Sequence, residues 1–326
     1  MAVTRRRLVT ASALAAFVAG SAIAVDRDGL FLRKDAVLLW MLALLFALSL
    51  SDLKRWGRGL IVDWLPLAVL LVFYDTSRDL ATKLHIQTHT TFQIAADKAL
   101  FGSPIPTVRL QQALHESPAV RIWEYPMFVV YLSHFFAAIV VAGILWKVAY
   151  PRFRAFRAQL IALTTLGFAT YVLFPARPPW MAAQDGALPP IHRAVFDVWD
   201  QIGMGVARTS IEQGSAFDND VAAVPSMHAA ITLLILLFFW KRANKPARAA
   251  LVAYVLAMAW TLVYGGEHYV FDVLLGWLYA AAVAGGAAVL ARVRERRASG
   301  VPSTLNRTVP TITPTPLQRG PHPDGA

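Results

Sequence analysis

Long uncharged apolar runs alternate with short loops rich in arginine and lysine along this chain. The runs fall at 8–25, 36–51, 59–74, 126–146, 158–176, 221–240, 249–266 and 270–291. A bilayer core about 30 Å thick takes about 20 apolar residues as helix. Lipid offers no partner to an unpaired backbone group, so runs of this kind are helical. Several are shorter than that, and tilt or local thinning accommodates them. The pattern predicts an all-α fold, a polytopic membrane bundle of about eight transmembrane helices. The first run also fits an export signal, because Arg5, Arg6 and Arg7 precede an Ala-rich stretch ending in Ala22-Ile23-Ala24. A retained helix is favoured, since the rest of the chain is itself membrane-embedded.

Composition agrees. Of 326 residues, 57% are hydrophobic and 16% charged, where a soluble domain carries about 25% charged residues. The absence of cysteine excludes disulfides, thiolate nucleophiles and cysteine-ligated zinc. The net charge of +11 does not point to nucleic acid, because the basic residues sit in loops between apolar runs. Their placement sets an orientation by the positive-inside rule. Lys54, Arg55 and Arg58 precede the third run. Lys147, Arg152, Arg154 and Arg157 follow the fourth, Lys241, Arg242, Lys245 and Arg248 the sixth, and Arg292, Arg294, Arg296 and Arg297 the last. With eight alternating helices all four clusters share one side, the cytoplasm of a bacterial-type plasma membrane, along with both termini.

Three divisions follow. Residues 1–58 hold two N-terminal helices, 59–291 a six-helix catalytic core, and 292–326 a Pro- and Thr-rich tail expected to be disordered. Two outer loops of the core, 75–125 and 177–220, are long enough to be functional. The first contains TTFQIAADKALFG, whose pattern suits a helix on the membrane surface.

Three short stretches map to the outer ends of runs: FPARPPW (174–180), VPSMHAA (224–230) and YGGEHYVFD (264–272). In the second, Pro225 and Ser226 are helix-start residues, and a helix start offers N–H groups and a positive dipole end to phosphate. His228, one turn in, can carry a proton near neutral pH. In the third, His268 and Asp272 are four apart, on one face of a helix. A carboxylate on one ring nitrogen fixes the tautomer and makes the other a better nucleophile or base. An ionisable group at the start of an otherwise uncharged membrane helix is expensive and usually functional. Arg177 alone would read as a headgroup-level anchor. Taken together, the arginine, the Ser/His helix start and the His/Asp pair supply what phosphoryl transfer needs.

PSMH and HYVFD on consecutive helices, after an Arg-Pro segment, resemble the type 2 phosphatidic acid phosphatase superfamily, and within it the inositol phosphorylceramide synthase-like, inositolphosphotransferase branch. The likeness covers about residues 126–291. FGSPIPTVRLQ and Tyr131-Leu132-Ser133-His134-Phe135 extend it upstream. It implies a membrane lipid substrate with a phosphate headgroup, no metal or other cofactor, and a phosphohistidine intermediate. By the resemblance, His268 is the nucleophile, Asp272 orients it, His228 protonates the leaving group, and Arg177 and Ser226 bind phosphate. The chain departs from the pattern at Thr170, where a Lys is expected, and at Thr261-Leu262, in place of Ser-Arg. Arg193 or Arg208 are candidates to replace the missing cations. His85, His89, His134 and His192 are not placed in the site.

The chain thus reads as a lipid phosphotransferase moving an inositol phosphate-like headgroup. A lipid phosphate or polyprenyl (di)phosphate phosphatase is the alternative. Two readings of other classes are a metalloenzyme, with His228, His268 and Asp272 as a two-His-one-carboxylate site, and a non-enzymatic lipid transporter.

Overall fold

Proline, glycine and buried polar side chains decide where the apolar runs break. The computed structural model describes residues 2–28, 34–70, 86–115, 119–202 and 222–299. Among these the secondary structure is helical. The β contacts are isolated bridges, two of which join His89 to Ala176 and Ala176 to Ala222. The N-terminal helices are α1 (Ala2–Asp28), α2 (Lys34–Ala47) and α3 (Leu53–Val62). A pair of short helices follows, α4 (Thr91–Phe101) and α5 (Pro106–Leu114). Then come α6 (Glu124–Val148), α7 (Tyr150–Leu173), the short α8 (Pro179–Gln184) and α9 (Ala194–Gln201), and α10 (Met227–Phe239), α11 (Lys245–Tyr264) and α12 (Val270–Ser299). Residues Met1–Ala287 form one compact unit, and Ala288–Ala326 a second whose described part is the end of α12.

The protein is an integral membrane protein of helices. α6, α7, α11 and α12 (over Val270–Arg297) are long and apolar enough to cross a bilayer, and Leu8–Ala24, Leu38–Ala47 and Met227–Phe239 are apolar but shorter. The third expected span, 59–74, is not one continuous helix where it is described. α3 stops at Val62, residues 63–64 turn, and 65–70 are helical again. The cause is Asp63. Its carboxylate is buried and receives Trp146 Nε1 at 3.0 Å, the Tyr150 hydroxyl at 3.0 Å and Arg157 Nη1 at 3.1 Å. A charge in apolar surroundings persists only with such partners, and the break lets the side chain meet them. Arg208 and the tail after Ser299 lie outside the described residues.

α10 is the central element. It packs on α11, α7 and α6 and is buried on nearly all sides through Met227, Ala229, Ala230, Ile231, Leu234 and Ile235. A helix apolar all round belongs in a core. Its first turn joins two apolar clusters. Met227 and Ala230 belong to one cluster with Phe168, Leu163 and Trp146, and Ala229 to another with Tyr131, Met258 and Leu262. With 13 residues, α10 is about 20 Å long at 1.5 Å per residue.

Candidate active site

Ser226 starts α10. Its hydroxyl oxygen accepts the Ala229 N–H at 3.4 Å, and Pro225 stands one residue before this cap. The Ser226 N–H donates to the Asp272 carbonyl at 3.0 Å, so the start of α10 is tied to the first turn of α12. Gly276 permits the approach. A Cβ there would lie 2.3 Å from the Ser226 carbonyl oxygen, far inside van der Waals contact. Gly276→Ala is therefore expected to drive the Ser226 segment off α12. Activity of purified protein falls at least about tenfold, since misplacement of about 1 Å costs on the order of 10²-fold. A specific-activity measurement on folded protein checks this.

His268 and Asp272 are paired, though not on two turns of one helix. α12 begins at Val270, so His268 precedes it. Gly266, with φ of +75°, turns the chain out of α11, and the Glu267 and His268 N–H groups both donate to the Leu262 carbonyl, at 3.0 and 3.1 Å. Asp272 reaches back over the first turn, accepting the Tyr269 N–H at 3.0 Å and lying 3.4 Å from His268 Nδ1. The Ala223 carbonyl lies 3.0 Å from the same Nδ1. Two acceptors around Nδ1 keep its proton there, so Nε2 carries the lone pair. Both side chains are buried.

Across from this pair stands His228, its ring 5.6 Å from that of His268 and edge-on to it. Tyr131 stacks on His228 at 5.2 Å, and His134 lies at 3.8 Å. The sequence reading set His134 aside. The three-residue spacing of Tyr131 and His134 on α6 is the signal that puts both on one face. An apolar cavity of about 110 Å³ adjoins this side, lined by His134, Phe135, Phe168, Met227 and Ile231 among others.

The Arg-Pro stretch is stitched to both other stretches. The Ala223 N–H donates to the Ala176 carbonyl at 3.2 Å, and the Trp180 N–H to the Gly266 carbonyl at 3.1 Å. His89 spans the same strip, its N–H on the Pro175 carbonyl at 2.8 Å and its carbonyl taking the Arg177 N–H at 2.9 Å. The Arg177 guanidinium pairs with Asp185, and both are partly exposed. Thus the backbone brings Arg177 to the site, while its side chain engages a loop carboxylate.

Of the two candidate replacement cations, Arg193 lies among the described residues. Arg193 is held by Glu267 through two bonds, at 2.9 and 3.0 Å, over the rings of Trp180 and Phe196. Leu262 is fully buried in the apolar core. Thr170 bonds the Tyr279 hydroxyl at 2.9 Å. Among the described residues, His115, His192 and Asp197 are placed to share a metal ion.

The segment 75–125, where described, is a cap on the start of α12 rather than a free surface helix. α4 buries Gln93, Ile94 and Asp97. Asp97 accepts the Val270 and Phe271 N–H groups, at 3.1 and 2.9 Å, and so caps α12. Burial pushes its carboxyl above the usual range, and the two N–H groups oppose that. On α5, Gln111 Nε2 donates to the carbonyls of Tyr264 and His192, at 2.6 and 2.7 Å. Neither Asp97 nor Gln111 stands in any of the three motif stretches.

The helices bury a His–Asp pair beside a second histidine, and the family is one of integral-membrane enzymes acting on lipid-linked phosphate. The PAP2 superfamily model matches residues 94–286, and the chain belongs to that superfamily. It is also similar to phosphoinositol dihydroceramide synthase of Bacteroides thetaiotaomicron, at 29% identity over 256 residues, 75% of this chain and 81% of the relative. No solved structure matches.

Proposed function

We propose that the protein transfers an inositol phosphate-type headgroup from a donor phospholipid to an acceptor lipid through a phosphohistidine on His268. The observation that carries this is the pair of acceptors on His268 Nδ1, which leaves Nε2 as the nucleophile, with the His228 ring 5.6 Å away. Nε2 attacks the donor phosphorus, and the bond from phosphorus to the diacylglycerol oxygen breaks. Protonated His228 gives its proton to that oxygen. Asp272 stabilises the positive ring that forms. In the second step the acceptor hydroxyl attacks phosphorus and passes its proton to His228. The P–N bond then returns its electron pair to Nε2. Arg177, exchanging Asp185 for phosphate, and the N–H groups after Ser226 hold the phosphate oxygens. The apolar cavity beside His134 has room for part of a lipid chain. No metal takes part, and the site opens to the extracytoplasmic face, on the side opposite the basic loops.

The name of the Bacteroides relative supports the headgroup class. Hydrolysis of a lipid phosphate or polyprenyl diphosphate is the second reading, with water in place of the acceptor. The test is to incubate purified protein, in EDTA, with headgroup-labelled phosphatidylinositol and a ceramide-type acceptor. Label is expected to move to the acceptor lipid. Water-soluble inositol phosphate as the sole product, or phosphate release from phosphatidic acid alone, would favour the phosphatase. Loss of activity in EDTA, restored by zinc, would remove the metal-free mechanism.

A further inference from the structure

Gln93 is fully buried, yet neither its amide oxygen nor its amide nitrogen has a hydrogen-bond partner among the described residues. Leaving a buried amide unpaired is costly, and nearly all such groups have partners. Both halves of one side chain are vacant here, a donor and an acceptor side by side.

The neighbours of Gln93 fix where it faces. Successive helix positions are about 100° apart. Phe92, on one flank, sets its ring edge-on to Phe174 and Phe271, at 5.5 and 5.4 Å. Ile94, on the other flank, belongs to one apolar cluster with Tyr269 and Ala182. One turn back, His89 shares backbone bonds with Pro175 and Arg177. One turn on, Asp97 holds the N–H groups of Val270 and Phe271. Gln93 therefore lies on the side of α4 that meets the Arg177 stretch and the start of α12. Ala223 links those two elements, its N–H on the Ala176 carbonyl at 3.2 Å and its carbonyl 3.0 Å from His268 Nδ1. Both ends of the segment are pinned, so the amide is held there. Thr107 Oγ1, on α5, and the Tyr269 hydroxyl, just before α12, are also buried without partners among the described residues.

We infer that Gln93 is a headgroup-binding residue, whose amide donates to one hydroxyl and accepts from the next on a polyol esterified to the phosphate at His268. Neighbouring hydroxyls each offer a donor and an acceptor, which matches a primary amide. The arrangement also sorts the substrate by polarity. The apolar cavity adjoins the His134 side, and the polar groups belong to the cap. This inference rests on the headgroup-transfer reading.

The test uses the full chain and three donors: phosphatidylinositol and phosphatidylglycerol, whose headgroups carry neighbouring hydroxyls, and phosphatidylethanolamine, whose headgroup has none. Gln93→Met keeps the shape and removes the amide. A packing role predicts an unchanged or raised Tm and equal effects on every donor, since no protein bond is lost. Headgroup binding predicts that kcat/KM for the polyol donors falls about tenfold or more, chiefly through KM, while the ethanolamine donor changes far less. Equal effects on all three donors, or none, would overturn the role of Gln93, as would rescue by an ordered water alone, seen as full activity of the variant. A wild-type protein that transfers no headgroup from any donor would instead overturn the transfer reading. If Gln93→Met does not fold, Gln93→Asn, whose amide is withdrawn by one methylene, is read by the same donor ratio.

Discussion

Turnover of every substrate is expected to collapse, by at least about 10³-fold, when His268 is replaced by alanine, because the covalent route loses its attacking atom. Asp272→Asn keeps the shape but lets the wrong nitrogen carry the proton. It is expected to cost about 10²- to 10⁴-fold in kcat, by analogy with triads in which the carboxylate holds an imidazole tautomer. The Ala223 carbonyl, 3.0 Å from the same Nδ1, still holds the ring, which places this loss below that of His268→Ala. His228→Ala is expected to act selectively. A donor with a good leaving group, such as a nitrophenyl phosphodiester, needs little protonation and retains most of its rate, whereas phosphatidylinositol loses on the order of 10²-fold. Label trapped on wild-type protein, lost in acid but stable in base, identifies the intermediate. Full activity of His268→Ala would end this mechanism.

How these residues meet was only partly legible in the sequence. The apolar runs announced membrane helices, and their breakers marked the stretches at the helix ends. Ser226 reads as a cap from type and position alone, and it caps α10. The His268–Asp272 spacing suggested one helical face. The structure reaches the same pairing by a turn that ends α11 and starts α12, because Gly266 adopts a positive φ and Leu262 closes the chain on itself. Periodicity cannot distinguish those two routes. The break at Asp63 was also hidden, since its three donors lie 83 to 94 positions away. Asp97 and Gln93 escaped notice for a similar reason. Their helix looks like a membrane-surface amphipath, and only its docking on α12 reveals what its polar face does.

The second large effect concerns substrate charge. A phosphate monoester carries about −1.5 to −2 charges at neutral pH, and a site that removes such a dianion from water needs several cations, bidentate arginines best of all. The described residues supply few. Leu262 is buried in apolar surroundings, and its carbonyl rather than its side chain serves the site. Thr170 bonds a tyrosine hydroxyl. Arg193 is already neutralised by Glu267 in a two-bond pair, and freeing it would strand a carboxylate next to His268. Arg177 remains, with a partly exposed partner, Asp185, which a phosphate can displace at little cost because exposed pairs are worth about 0–1 kcal/mol. One arginine together with the N–H groups at the start of α10 balances one charge, the charge of a phosphodiester. The specificity constant for phosphatidylinositol with an acceptor is therefore expected to exceed that for phosphatidic acid by at least about tenfold, or 1.4 kcal/mol. Arg177→Ala should lower the diester rate by about 10²-fold, as removal of one preorganised donor does elsewhere, and Arg193→Ala should act through folding, visible as a lowered Tm. A clear preference for the monoester would mean that charge matching does not select the substrate, and that a further cation completes the site.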